Sequence, residues 1–232
     1  MSRSRLSAIA LSLVFLTTAC GAEEPSTPQP TPQVFNDVPD AIDPSARYLF
    51  YLHGAIIERA GARPTHPKFG IYEYQEILET FAERGFLVIS EARPAGTEGA
   101  MYAEKIAGQV GALLQEGVPP EHITVVGFSK GGGIAITASS ILSEEKLNFV
   151  FMAACGPWLD SRPEIVPHGR VLALREASDD LVGTCDVLFS RAVGDGEREE
   201  IVIDVGGGHG AFYRPRPEWV DPVVEWASFS AP

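Results

Sequence analysis

Ser129 sits at the centre of GFSKG (127–131), where the apolar run ITVVGF gives way to the glycine-rich segment GGGIAI. A serine hydroxyl is a poor nucleophile at its free pKa and attacks only when a neighbouring base accepts its proton. Of the five histidines, His209, in DVGGGHGAF (204–212), is the one that follows a late apolar run. His66, His122 and His168 sit in loops before such runs, and His53 belongs to a different motif. Asp179 and Asp180, in SDDLV (178–182), offer carboxylates, and Asp160 is a third choice. Such a set permits acyl transfer: the serine attacks, the histidine takes and returns its proton, and the carboxylate fixes the imidazole tautomer. A serine among glycines is also a common helix-capping turn residue, so the surrounding elements must decide.

Those elements alternate regularly. Apolar runs at 47–54, 86–90, 123–128, 148–155, 170–176 and 200–206 read as strands. Helical spacing of apolar residues marks 72–85, with Ile77, Leu78 and Phe81, and 101–117, with Ile106, Val110 and Leu113. Further helices are expected after Ser129, over roughly 182–193, and at 217–229, where Pro217 suits a first helical position. The strands lack polar alternation, as strands buried on both faces should. The class is therefore α/β: a mostly parallel sheet of six to seven strands with helices on both faces. In such sheets ligands sit beyond the carboxyl ends of the strands. His53, Ser129, Asp179 and His209 each fall just after a strand.

HG after the first strand, GFSKG at the strand-to-helix turn, SDDLV after a later strand and GGGHGAF near the end together resemble the α/β-hydrolase superfamily. The resemblance covers about residues 46–229 and is closest to a compact esterase. It implies Ser129 as nucleophile, His209 as base and Asp179 as acid, because the superfamily often places Val three residues after the acid and Val182 fits; Asp180 and Asp160 are the alternatives. It implies oxyanion donors from the main chain of Lys130 and of Ala55, with His53 and Gly54 shaping that loop and Gly127 and Gly131 keeping the turn clear. The Lys130 side chain is expected to be solvated. Glu58, Arg93 and Trp158, all near strand ends, are candidates to line the pocket. Only about 15 residues join the strands 148–155 and 170–176, too few for a large lid. An open pocket favours small or soluble acyl substrates. No metal constellation is legible, and GGGHG lacks the Lys-Ser/Thr of a phosphate-binding loop, so no cofactor is expected.

The N-terminus reads as an address. MSRSR supplies positive charge, LSAIALSLVFL an apolar run too short to span a bilayer, and TTAC small residues before Cys20. This resembles a bacterial lipoprotein signal peptide (1–19), although Thr17 stands where leucine is usual. Cys20 would then be the lipidated residue, and the Pro-, Thr- and Gln-rich segment 20–36 an extended tether to a domain at 37–232. The expected location is outside the cytoplasm, in the cell envelope or periplasm, with membrane attachment through the lipid anchor alone. Export leaves Cys155 and Cys185 as a pair for one disulfide, or as two buried thiols. A net charge of −13 argues against nucleic acid as a partner. The expected function is an exported serine hydrolase acting on an ester or related acyl bond. A peptidase, a thioesterase, or a surface-binding lipoprotein that keeps the fold without the chemistry are the alternatives.

Overall fold

Seven strands lie side by side, all parallel, in the computed structural model, which describes residues 33–228. The expected signal peptide, Cys20 and nearly all of the tether lie outside the described residues. The strands are β1 (Val34–Phe35), β2 (Tyr48–Leu52), β5 (Leu87–Ile89), β6 (Ile123–Phe128), β7 (Asn148–Met152), β8 (Arg170–Glu176) and β9 (Arg198–Ile203). Their order across the sheet is β1-β5-β2-β6-β7-β8-β9. A separate two-stranded hairpin, β3 (Thr65–His66) with β4 (Gly70–Ile71), lies in the connection after β2.

Period-two alternation sorts the sheet's side chains into two cores. Tyr48, Phe50, Leu52, Val125, Phe149 and Phe151 point to one face and pack with α3 (Gly99–Gln115) and α4 (Lys130–Leu142). Leu49, Tyr51, Val126, Phe128, Val150 and Met152 point to the other and pack with α2 (Tyr74–Glu83) and α6 (Pro217–Ser228). Both faces are covered, so β2, β6 and β7 are buried at every residue. This is why they read as unbroken apolar runs. The edge strand β9 differs: Glu199 and Val202 are exposed and Arg198, Glu200 and Ile201 only partly buried, because only one neighbour and less of each face cover it.

Two boundaries differ from expectation, and two short elements were not expected. Val34–Phe35 pair in register with Val88–Ile89, so the ordered sheet begins inside the segment assigned to the tether. Two residues are too short a run to signal a strand. The helix expected over 182–193 is confined to α5 (Asp186–Arg191). Residues before it are held elsewhere: Gly183 N–H donates to the Cys155 carbonyl, and Cys185 N–H to Glu200 Oε2. The short helix α1 (Ala55–Ala60) and the β3–β4 hairpin carry no strong periodicity. Between β7 and β8, residues 153–169 hold a 3-10 turn, Pro157–Ser161, and no lid.

Candidate active site

The β6–α4 junction turns within one residue. Ser129 has φ 54° and ψ −118°, a conformation costly for a residue with a side chain. The neighbours hold it there: Ser129 N–H donates to the Met152 carbonyl at 2.9 Å, and Gly133 N–H to the Ser129 carbonyl at 3.0 Å. Gly131 passes so close to β2 that any Cβ on it would overlap the Leu52 carbonyl, and a Cβ on Gly127 would overlap Gly131. Bare backbone at these two positions lets α4 start directly against the sheet and presents the serine above it.

Three strand ends converge on that serine. His209 Nε2 lies 2.8 Å from Ser129 Oγ, and His209 Nδ1 lies 2.8 Å from Asp179 Oδ2. The Asp179 side chain is fully buried and His209 is 11 % exposed. Asp179 Oδ1 also accepts from the Leu181 N–H at 3.0 Å. With Nδ1 donating to the carboxylate, Nε2 is left to accept the serine proton. Asp180 points away, 75 % exposed and 3.8 Å from Lys68, and Asp160 is exposed on the 3-10 turn after β7. The structure thus brings Ser129, His209 and Asp179 together and leaves the two other carboxylates outside.

Glu176 holds the last two loops in register. It ends β8, is fully buried, and accepts from Ser178 N–H (2.8 Å), Ser178 Oγ–H (2.6 Å) and Gly206 N–H (3.0 Å). Burial pushes its carboxyl up, and these hydrogen bonds outweigh burial and hold it below the usual range. One carboxylate therefore fastens the Asp179 loop to the His209 loop. Gly206, Gly207 and Gly208 all have positive φ, which lets the chain coil back from β9 to present His209.

Two helices start close to the serine. Ala55 and Lys130 each open a helix, α1 and α4, so their N–H groups have no intrahelical acceptor. Gly54, just before Ala55, lies beside Ser129: a Cβ there would sit 3.7 Å from Ser129 Cβ. The Lys130 side chain departs from expectation. Its Nζ donates to Glu58 Oε2 and to the Thr97 carbonyl, both at 2.6 Å. Glu58 is on α1, close enough to attract the ammonium away from water. Glu58 Oε1 accepts from Arg93 Nε at 2.9 Å, and Arg93 also donates from Nη2 to the His53 carbonyl. The Arg93 main-chain N–H donates to His53 Nε2 at 2.8 Å, so His53 Nδ1 carries the proton and donates to the Gly54 carbonyl at 2.8 Å. Burial, then the Arg93 charge, push the His53 pKa down to about 4. Burial pushes the Glu58 carboxyl up, but Lys130 and Arg93 outweigh it and hold it low. Glu58 and Arg93 therefore brace the His53–Gly54 loop and Lys130 and do not line the pocket. Trp158 does line it.

A cleft of about 580 Å³ opens over Ser129 and His209. Its walls come from the start of α3, from α4, from the loop after β7 with Cys155 and Trp158, and from Leu181 and Val182. Cys155 and Cys185 form a disulfide, which ties the loop after β7 to the end of the Asp179 loop. Among the described residues, no group of three or more His, Cys, Asp or Glu side chains is arranged to hold a metal ion.

No protein-family model matches the chain. Among curated proteins, an acetyl-hydrolase of Streptomyces hygroscopicus is 28% identical over 142 residues, which cover 61% of this chain and 44% of that protein. Among solved structures, a Klebsiella pneumoniae protein assigned to the dienelactone hydrolases superposes with a TM-score of 0.56 at 13% identity, over 83% of this chain and 90% of that one. A lipase-esterase related protein of Clostridium acetobutylicum gives 0.53 at 10% identity, over 80% and 96%. A lid-less α/β serine hydrolase of Xanthomonas campestris gives 0.50 at 15% identity, over 85% and 89%. The chain has the α/β-hydrolase fold.

Within this hydrolase fold, the sequence was least informative about the supports. Glu176 ends an apolar run, RVLALRE, and a carboxylate closing a buried strand was the available signal. Phe69, on the β3–β4 turn, packs 6.3 Å from the His209 ring and blocks any side chain at Gly210. No local pattern marks it, because the hairpin that carries it is two residues per strand.

Proposed function

We propose that this chain is a serine hydrolase that cleaves a carboxylic ester, or a related acyl bond, through an acyl-enzyme. The observation that carries the reading is His209, which bridges Ser129 Oγ and Asp179 Oδ2 at 2.8 Å on each side. As Ser129 Oγ bonds to the acyl carbon, its proton passes to His209 Nε2. The carbonyl pair moves onto oxygen, which receives the N–H groups of Lys130 and Ala55. The intermediate collapses, the bond to the leaving oxygen breaks, and His209 returns its proton to that oxygen. Water then repeats the sequence on the acyl-serine. Asp179 stays ionised and stabilises the imidazolium form.

The acetyl-hydrolase similar to this chain supports an acyl bond as the target. Because the match spans less than half of the acetyl-hydrolase, its activity comes here only as this proposal. The Cys155–Cys185 disulfide supports work in an oxidising compartment. We therefore also propose export, with a lipid on Cys20 and the segment 20–36 as tether.

Purified protein should take a fluorophosphonate label on Ser129, and Ser129→Ala should not. Absence of label on wild type, or equal labelling of the mutant, overturns the hydrolase reading. For the tether, palmitate should be incorporated by wild type and not by Cys20→Ser; persistent incorporation in the mutant removes it.

A further inference from the structure

The GFSKGGG segment holds four glycines, and they are not equivalent. A Cβ on Gly127, Gly131 or Gly132 would collide with neighbouring backbone or with Ala154. A Cβ on Gly133 would meet only Trp158 Cζ2, at 3.7 Å, an ordinary contact, and its φ is helical. Across the cleft, a Cβ on Gly99 would meet only Ile134 Cγ1, at 3.8 Å. Neither position demands glycine from the backbone, and both line the cleft over Ser129. Gly108 and Gly111 of α3 are also unforced, but neither lines this cleft. At 99 and 133 the missing side chains are the cleft's own space.

We infer, resting on the serine hydrolase reading, that Gly99 and Gly133 set the length of the substrate arm this enzyme accepts. The arm is an unbranched or flat apolar group lying along α4 against Trp158. Gly133 and Thr137, four residues apart on α4, share one helix face, and with Ser129 just before the helix they line the cleft as a track leading away from the nucleophile. From Lys130 to Thr137 the helix rises about 10 Å, which sets the length of the track. Ile134 and Trp158 flank it. Trp158 is pinned by its Nε1–H, which donates to the Ala154 carbonyl at 2.9 Å, so it offers a fixed wall. A side chain larger than alanine at 133 or 99 would enter the track.

The test compares kcat/KM for p-nitrophenyl acetate and octanoate, and for methyl and octyl acetate, in wild type, Gly133→Leu and Gly99→Leu. The long-to-short ratio should fall by about tenfold or more in one of the two series for each variant. Gly133→Ala should lower it less. Gly99→Leu, on the facing helix, keeps the test open if Gly133→Leu does not fold. Ratios unchanged in both series, in a folded variant that still takes fluorophosphonate, overturn the inference while leaving the hydrolase reading intact. Wild type that neither labels nor hydrolyses any ester overturns both.

Discussion

Lys130 Nζ lies 2.6 Å from Glu58 Oε2, and each of these residues belongs to a helix whose first residue has a main-chain N–H with no helical acceptor. The ion pair therefore spans the two halves of the proposed oxyanion site. Glu58 is 4 % exposed at its side chain and also pairs with the fully buried Arg93. Removing its charge would strand a buried guanidinium, which typically costs about 3–5 kcal/mol. Glu58→Gln should lower stability on that scale and lower kcat more than it raises KM, because donor placement matters most in the transition state. Lys130→Met, at a 31 % exposed side chain, should cost less in stability. A raised KM with kcat unchanged would argue that Glu58 shapes binding only.

Asp179→Asn should retain the fold and lose about 10⁴-fold in kcat, since an amide in place of the carboxylate stabilises the wrong imidazole tautomer. Asp180→Asn, whose carboxylate is exposed, should stay within about twofold of wild type, because substitutions at exposed positions away from such features have small effects. Ester hydrolysis assays on the two variants side by side distinguish them. A larger loss at Asp180 would reverse the assignment of the acid.

Stability should fall as pH drops from 6.5 to 4. The His53 pKa is lowered from 6.5 in the unfolded chain to about 4 in the native one. Between those values the unfolded chain binds the extra proton, so stability rises with pH across the window and is lost as pH falls through it. The full span corresponds to about 3 kcal/mol. Glu58 and Glu176, both held low, lose stability in the same direction. Urea melts at pH 4.5 and 7 should show a smaller difference for His53→Asn than for wild type; equal differences would remove His53 from the cause.

Reduction should loosen the Asp179 loop. The Cys155–Cys185 disulfide closes a separation of 30 residues, for which the chain-entropy account gives about 3–4 kcal/mol. The Cys155→Ala/Cys185→Ala pair should melt at lower temperature, and its kcat should fall, because the linkage holds the loop that carries Asp179. A double variant as stable and active as wild type would show that the bond carries neither role.

The fold was legible because burial on both faces makes β2, β6 and β7 largely apolar, and the helices between them keep a 3.6-residue period. Where burial is partial the signal weakens, so the two-residue β1, the hairpin under Phe69 and the short α1 escaped. Residue type and position after a strand were enough to single out Ser129 and His209. They could not choose among Asp179, Asp180 and Asp160, because adjacent residues in a loop face different ways and only the chain's path sets which one meets the imidazole. They also left Lys130 in solvent, since nothing local says that Glu58, 72 residues away, waits beside it. The sequence by itself determined the layered parallel sheet, the elbow's glycines and the histidine, through burial pattern and steric need. Only the tertiary structure showed which carboxylate meets the imidazole, the Glu58–Lys130–Arg93 support and the shape of the cleft, because each depends on side chains from distant segments meeting.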